Sequence, residues 1–598
     1  MIPQKERLGA QYLGQGTTAF RVWAPEASTV EVHGYLASGD CFERLTDEGH
    51  GYFSGSIPGF GVGDRYRFRL DAHEEFPDPA SRSQPEGVFG PSVVIDPDQF
   101  VWHDAHWEGR RWEDLVFYEI HVGTFSDGGR FDGVIDDLPR LAQLGITAIE
   151  IMPIAQFPGE RNWGYDGVFP YAPQSSYGGP EGFARLVDAC HAHHMAVFLD
   201  VVYNHTGPEG SVLTQFGPYF NTHYHTPWGQ ALNFDGPHSD AVREFFLQNA
   251  QQWIIDYHVD GLRLDAVHAI IDTSAEPFLR ELTKAIDALS RHYGRPIYTV
   301  AESDRNDPRE ILPRDQEGLG FSGQWNDDLH HALHAFVTGE RTVYYEDFGS
   351  LKDLSRALTE GYVYTGQYSS YRHRRHGRPF LPHSLGHLVG YGQNHDQVGN
   401  RPTGDRLASY LSERQLGLIA ATILLSPAIP LLFMGEEYGE SAPFPYFIDH
   451  HDPQLVQAVR DGRAQEWAFS QEVLPDPADP NTFLSARLST RRDTPLAHWY
   501  QMLLAVRHKY LTPSLMSGAR ITATVEAPHP MIQLTWALPE ATLEVLLNFS
   551  SESLAHSQGE SSRVLINSET PERIGTPERP LPTPSAVPSH GCLVIYHL

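Results

Sequence analysis

The chain has 598 residues, 40% of them hydrophobic, which is enough length for about three domains and enough apolar content for a sizeable core. Its 76 acidic residues outnumber 44 Lys and Arg, a formal charge of −32, which argues against nucleic acid or an anionic membrane surface and favours a neutral or cationic ligand. Cys41, Cys190 and Cys592 are too far apart and too few for a disulfide framework or a zinc pattern, and they suit a reducing cytoplasm.

The opening stretch, MIPQKERLGAQYLGQG, lacks the apolar run of a secretion signal. Residues 1–105 then carry short alternating runs (TAFRVWAP, STVEVHGY, RYRFRL) divided by Gly, Pro and Asp, which predicts an N-terminal β-sandwich. Gly59, Gly61 and Gly63 fall between two such runs with no helix behind them, so they predict a turn and not a phosphate loop. Over residues 106–514 the pattern changes. Apolar runs at 115–125, 148–155, 196–205, 261–268, 297–303, 321–328, 388–396 and 429–437 alternate with amphipathic helical stretches. Eight strand-helix units predict an α/β fold, a closed (β/α)8 TIM barrel, with a doubly wound open sheet as the alternative. Residues 416–434 are almost apolar enough to span a membrane, but Pro427 and Pro430 interrupt them, which predicts a buried helix, a turn and a buried strand. Residues 515–598 are β-rich again and predict a C-terminal β-sandwich containing the loop TPERPLPTPSAVPSH.

Polar residues gather at the C-terminal ends of the barrel runs, where a (β/α)8 fold builds its catalytic face. In GLRLDAVH, Arg263 and Asp265 share parity and therefore point to one side of the strand. A guanidinium beside Asp265 keeps that carboxylate ionised and oriented, as a nucleophile requires. Glu302 closes the apolar run TVAE, where burial raises a carboxyl pKa and suits a general acid. Asp396, beside His395, and His205 end two further runs. Singly, each has a plain structural explanation: an ion pair, a helix cap or a hydrogen-bonded turn. Together they form the paired-carboxyl arrangement that cleaves glycosidic bonds.

DVVYNH (200–205), GLRLDAVH (261–268), AESD (301–304) and QNHDQ (393–397) resemble, in order and spacing, the four short motifs of the α-amylase family of glycoside hydrolases. The resemblance implies Asp265 as nucleophile, Glu302 as acid/base and Asp396 as transition-state stabiliser. It implies substrate contacts from Arg263, His205, His395 and from Tyr165 of NWGYDG. His268 and Gln397 stand where relatives carry other residues, and they are taken as substrate contacts that bear on specificity. Longer stretches, among them YEIHVGTFSDGGRFDG and QWNDDLHHALHAFVTGE, resemble the branch that hydrolyses the α-1,4 bond next to a terminal trehalose unit. That branch implies a maltooligosyltrehalose substrate, a maltooligosyltrehalose synthase acting upstream, and no cofactor. Two alternatives remain open: an isoamylase-type enzyme cutting α-1,6 bonds, and an inactive amylase-like glucan-binding protein.

A rigid, bent disaccharide needs a shaped wall, for which Trp325, Asn326 and Asp327 are candidates, as are Tyr362, Tyr364, Tyr368 and Tyr371 and the trio Glu436, Glu437 and Tyr438. His191, His193 and His194 are expected to be exposed at a helix end. Asn204 occupies a position that binds calcium in many α-amylases, but no acidic loop accompanies it, so no metal is expected.

Overall fold

The computed structural model describes residues 6–597 except 381–382, 468–471, 491, 517–520, 527–528, 539, 557–561 and 571–572. The beginning of the opening stretch (1–5) and parts of the run ARITATVEA (519–520 and 527) lie outside the described residues.

At the centre is a closed eight-stranded barrel: β1 (Phe117–Ile120), β2 (Ala148–Ile151), β3 (Ala196–Val201), β4 (Gly261–Leu264), β5 (Tyr298–Ala301), β6 (Gly323–Trp325), β7 (Leu388–Tyr391) and β8 (Ile429–Phe433). Each predicted run supplies one strand. All neighbours pair in parallel, and β8 closes on β1 with Leu431 opposite Phe117. Helices cover the outside, so the strands are buried on both faces and read as nearly continuous apolar runs. Residues 416–434 resolve into the helix Glu413–Leu424, a turn and β8. The fully buried Arg507 fixes that turn by donating to the carbonyls of Leu424, Ser426 and Ala428 at 2.9, 2.9 and 2.7 Å. Charged donors serving three buried acceptors predict that Arg507→Met destabilises the protein by about 3 kcal/mol or more, seen as an earlier urea midpoint.

The N-terminal region forms two antiparallel sheets. One contains Gly9–Gly14, Thr17–Trp23, Tyr52–Pro58 and Thr46–Gly49; the other contains Gly39–Arg44, Val30–Leu36, Arg65–Leu70 and Glu74–Phe76. Phe20, Phe60 and Tyr66 pack edge to face between them. Gly59, Gly61 and Gly63 make the turn that joins Tyr52–Pro58 to Arg65–Leu70. At the C-terminal end, a five-stranded antiparallel sheet carries a small two-stranded ribbon, and Leu554 and Val587 of the ribbon pack with Leu546 and Ile595 of the sheet. Among the described residues no helix is long and apolar enough to cross a membrane.

One expectation is corrected here. His194 is exposed and His193 half-buried, but His191 is buried. Its ring bridges Asp104 and Asp260, both at 2.9 Å, and stacks on Trp107. Two carboxylates remote in sequence turn a helix-end histidine into a staple beneath the barrel.

Candidate active site

The C-terminal ends of β3, β4, β5 and β7 bring the predicted carboxylates together around Arg263. This side chain is fully buried, and Asp200, Asp265 and Glu302 surround it. Nη1 reaches Asp200 Oδ2 at 2.6 Å and Asp265 Oδ1 at 3.1 Å; Nη2 lies 3.0 Å from Glu302 Oε2. The guanidinium lies over the Trp325 ring, 4.2 Å from its centroid. Removing a buried charge from such a cluster leaves its partners uncompensated. Arg263→Met is therefore expected to destabilise the fold by about 3–5 kcal/mol, read from equilibrium denaturation, as well as to abolish turnover.

Asp265 is held at both oxygens. Arg263 serves Oδ1, while Asn204 Nδ2 donates to Oδ2 at 2.6 Å and to the Asp265 backbone carbonyl at 2.8 Å. Immediately beyond it the backbone turns left-handed at Ala266, with φ 40° and ψ 53°. That conformation costs a non-glycine residue roughly 1–2 kcal/mol. Its result is that Ala266 N–H points at Glu302 Oε2, 2.6 Å away. Burial pushes the Glu302 carboxyl above the usual range. Arg263 opposes the shift, Asp265 adds to it, and the Ala266 N–H opposes it; the net direction is up. The two carboxyls thus share an arginine but differ in environment.

On the opposite side, Tyr165 donates to Asp200 at 2.6 Å and meets His395 Nε2 at 2.7 Å. His395 Nδ1 is bonded to Glu119, which also accepts the His395 backbone N–H at 2.9 Å. Burial disfavours charge on His395, but Asp396 and Glu119 outweigh it and push the imidazole up to about 9. Burial raises Asp200 to about 7 despite Arg263. A continuous chain therefore crosses the barrel from Glu119 through His395, Tyr165, Asp200 and Arg263 to Asp265 and Glu302. Asp396 stands at its rim with its side chain about a third exposed (31%), 3.5 Å from His395. Burial raises its carboxyl as well.

The other predicted contacts divide. His205 lies beside Asn204, which holds Asp265; it is bonded to Asn204 and, at 3.1 Å, to the Tyr165 carbonyl. His268 is partly exposed, 3.9 Å from Asp304, and Gln397 is half-buried with no hydrogen-bond partner on Oε1. Asp327 accepts from Tyr391, and burial pushes it up to about 7. Trp325 and Asn326 are corrections to the expected sugar wall. Both are about 2% exposed: Trp325 is covered by Arg263, and Asn326 caps its helix through Leu329 N–H and donates to the Gly361 carbonyl. Arg263, expected as a substrate contact, likewise has no exposed surface. Tyr362 and Tyr364 are buried, bonded to Gln324 and Asp347, whereas Tyr368 and Tyr371 are exposed. Glu436 and Glu437 are spent inside the protein, on Tyr500 at 2.9 Å and on Arg140 at 2.7 Å, and Tyr438 is buried beside them.

Sequence reasoning missed Asp200, Glu119 and Trp228; it placed Asn204 at a strand end of the catalytic face and set it aside as a calcium position, without assigning it to Asp265. Asp200 and Glu119 carried a signal: each is a carboxylate inside an apolar strand. Trp228 is half exposed at the tip of a hairpin, its ring stacked on His205 at 5.0 Å.

Family models match two parts of the chain: residues 76–218 match the alpha amylase catalytic domain, and residues 7–97 match carbohydrate-binding module 48, the isoamylase N-terminal domain. The chain is 47% identical to a malto-oligosyltrehalose trehalohydrolase of Saccharolobus solfataricus, over 83% of this chain and 86% of that one. It is 42% identical to the enzyme of the same name from Rhizobium sp. strain M-11, over 90% and 92%. A solved protein of alpha-amylase type from Salmonella typhimurium superposes with a TM-score of 0.88 at 38% identity, covering 99% of both chains.

Proposed function

Because the chain belongs to the malto-oligosyltrehalose trehalohydrolase family, glycosidases of the α-amylase family, we propose that it cuts the α-1,4 bond next to the terminal trehalose of a maltooligosyltrehalose. The products are trehalose and a shorter maltooligosaccharide. The observation that carries this reading is the sharing of Arg263 between Asp265, held at both oxygens, and Glu302, whose carboxyl is raised.

In this reading Asp265 attacks the anomeric carbon while Glu302 gives its proton to the departing glycosidic oxygen. The leaving group is trehalose, and a glycosyl ester remains on Asp265. Glu302, now a carboxylate, takes a proton from water, and that water releases the ester with net retention of configuration. Enzymes of this type hold the two carboxyls about 5–5.5 Å apart. Asp396, partly exposed at the rim, accepts hydrogen bonds from sugar hydroxyls that strengthen at the transition state. A maltooligosyltrehalose synthase supplies the substrate, and both enzymes work in the cytoplasm, consistent with three free cysteines.

The test is product analysis. Maltopentaosyl-trehalose is expected to give free trehalose, and a branched glucan little product. Linear chains from the branched glucan, with maltopentaosyl-trehalose untouched, would make this a debranching enzyme; no product from either would favour the glucan-binding alternative. A pH profile is a second check. Glu302 must be protonated for the first step, and its pKa is raised, so kcat/KM holds on the acid side and falls as pH rises through that value. A profile with no alkaline limb removes Glu302 from the acid role.

A further inference from the structure

A cleft of about 630 Å³ lies between the N-terminal sheets and the barrel, formed by Glu86 and Phe89 on one side and Gln156, Glu160, Asp449 and His451 on the other. Its size falls within the roughly 300–1,000 Å³ of small-molecule sites. The barrel side is built from the segments that follow β2 and β8, so the cleft opens on the catalytic face. We propose that this cleft is a distal subsite for the glucan arm of the substrate, with Phe89 as a stacking platform; the inference rests on the function proposed above.

Three observations carry it. First, Phe89 is 58% exposed yet its loop is pinned. Arg67 donates to the Phe89 carbonyl at 2.6 Å, Arg65 pairs with Glu86 at 2.9 Å, and consecutive turns close at Gly87 and Gly90. Single exposed apolar residues are ordinary. A ring held out on a hydrogen-bonded loop, edge-on to His451 at 6.0 Å, offers a stacking face.

Second, the chemistry of the wall suits a neutral polyol. Carboxylates and an imidazole offer hydrogen bonds to hydroxyls beside an aromatic face. Among the described residues that line the cleft none is lysine or arginine, which disfavours an anion.

Third, the cleft is mechanically continuous with the catalytic centre. Asp449 accepts the Glu160 N–H at 2.9 Å and pairs with Arg161. Gly159 leaves room for that carboxylate, since a Cβ there would stand 2.4 Å from Asp449 Oδ2. Glu209, on the same loop as His205, accepts the N–H groups of His451 and Asp452 at 2.9 and 3.1 Å. Val88 fills the space beside Gly210, where a Cβ would meet it at 2.5 Å. His450 joins Glu209, at 3.2 Å, to Asp166, which follows Tyr165.

Direction then follows from the barrel. In the closed order, β5 stands across from β1, and β2 and β8 flank β1. Glu302 follows β5, so the group it protonates, the trehalose, leaves on that side. The glucan arm must extend the opposite way, toward the segments after β2 and β8 where the cleft lies.

The experiment measures kcat/KM for trehalose release over a series of maltooligosyltrehaloses whose glucan arm grows from one to seven glucose units, with wild type, Phe89→Ala and Phe89→Trp. Wild type is expected to gain efficiency with arm length. Phe89→Ala is expected to match it on the shortest member and to lose about 3–10-fold on the longest, and Phe89→Trp to keep the gain. A wild-type curve flat in arm length, an unchanged Phe89→Ala curve, or an equal loss at every length overturns the subsite. Absence of trehalose from every member with wild type is a different failure, that of the proposed function itself.

Discussion

Asp265→Asn is expected to lower trehalose release by about 10⁴–10⁶-fold, the loss seen when a residue of a catalytic unit is removed. Each factor of ten corresponds to about 1.36 kcal/mol of barrier, so the change amounts to about 5–8 kcal/mol. The amide has the shape of the carboxylate but cannot form the glycosyl ester. The fold is expected to survive, because Arg263 keeps its contacts with Asp200 at 2.6 Å and Glu302 at 3.0 Å. Trehalose release and a thermal melt, measured on one preparation, separate the two effects. Were Asp265→Asn as active as wild type, the carboxylate would be no more than a partner for Arg263.

Glu302→Gln is expected to cost about 10²–10⁴-fold on the natural substrate, the usual worth of a positioned acid. Here the discriminating reading is the leaving group. Trehalose departs as an alkoxide unless protonated, whereas an aryl glucoside with an acidic phenol departs unaided. The variant should therefore form the glycosyl ester from the aryl substrate nearly as fast as wild type, and its alkaline limb should vanish because the titrating group is gone. A gene product equally slow on both substrates would point to a distorted site and not to a missing acid, for Glu302 also accepts the Ala266 N–H at 2.6 Å.

What could be read in the sequence was what repeats along it. Eight apolar runs with polar C-terminal ends gave the barrel and gathered Asp265, Glu302 and Asp396 at one face. The residues that were misread are those whose partners are distant. His191 looked exposed because Asp104 and Asp260 lie 87 and 69 positions away. Glu437 looked available because Arg140 is 297 positions away. Trp325 and Asn326 sit at the right strand end, but a strand end offers both a mouth-facing side and a side turned into the protein; parity alone does not say how deep the mouth reaches. Arg263 was placed on the correct face, yet only the assembled carboxylates reveal that it never reaches solvent. In the tyrosine-rich segment, Tyr362 and Tyr364 are drawn in by Gln324 and Asp347, a sorting that composition does not encode.

The left-handed turn at Ala266 has a bearing on motion. Glu302 is tied to the backbone N–H of Ala266, the residue that directly follows Asp265. A displacement of Glu302 relative to the end of β4 therefore has to stretch or break this 2.6 Å contact. The unfavourable conformation of one residue is thus tied to a hydrogen bond that couples two strands of the barrel.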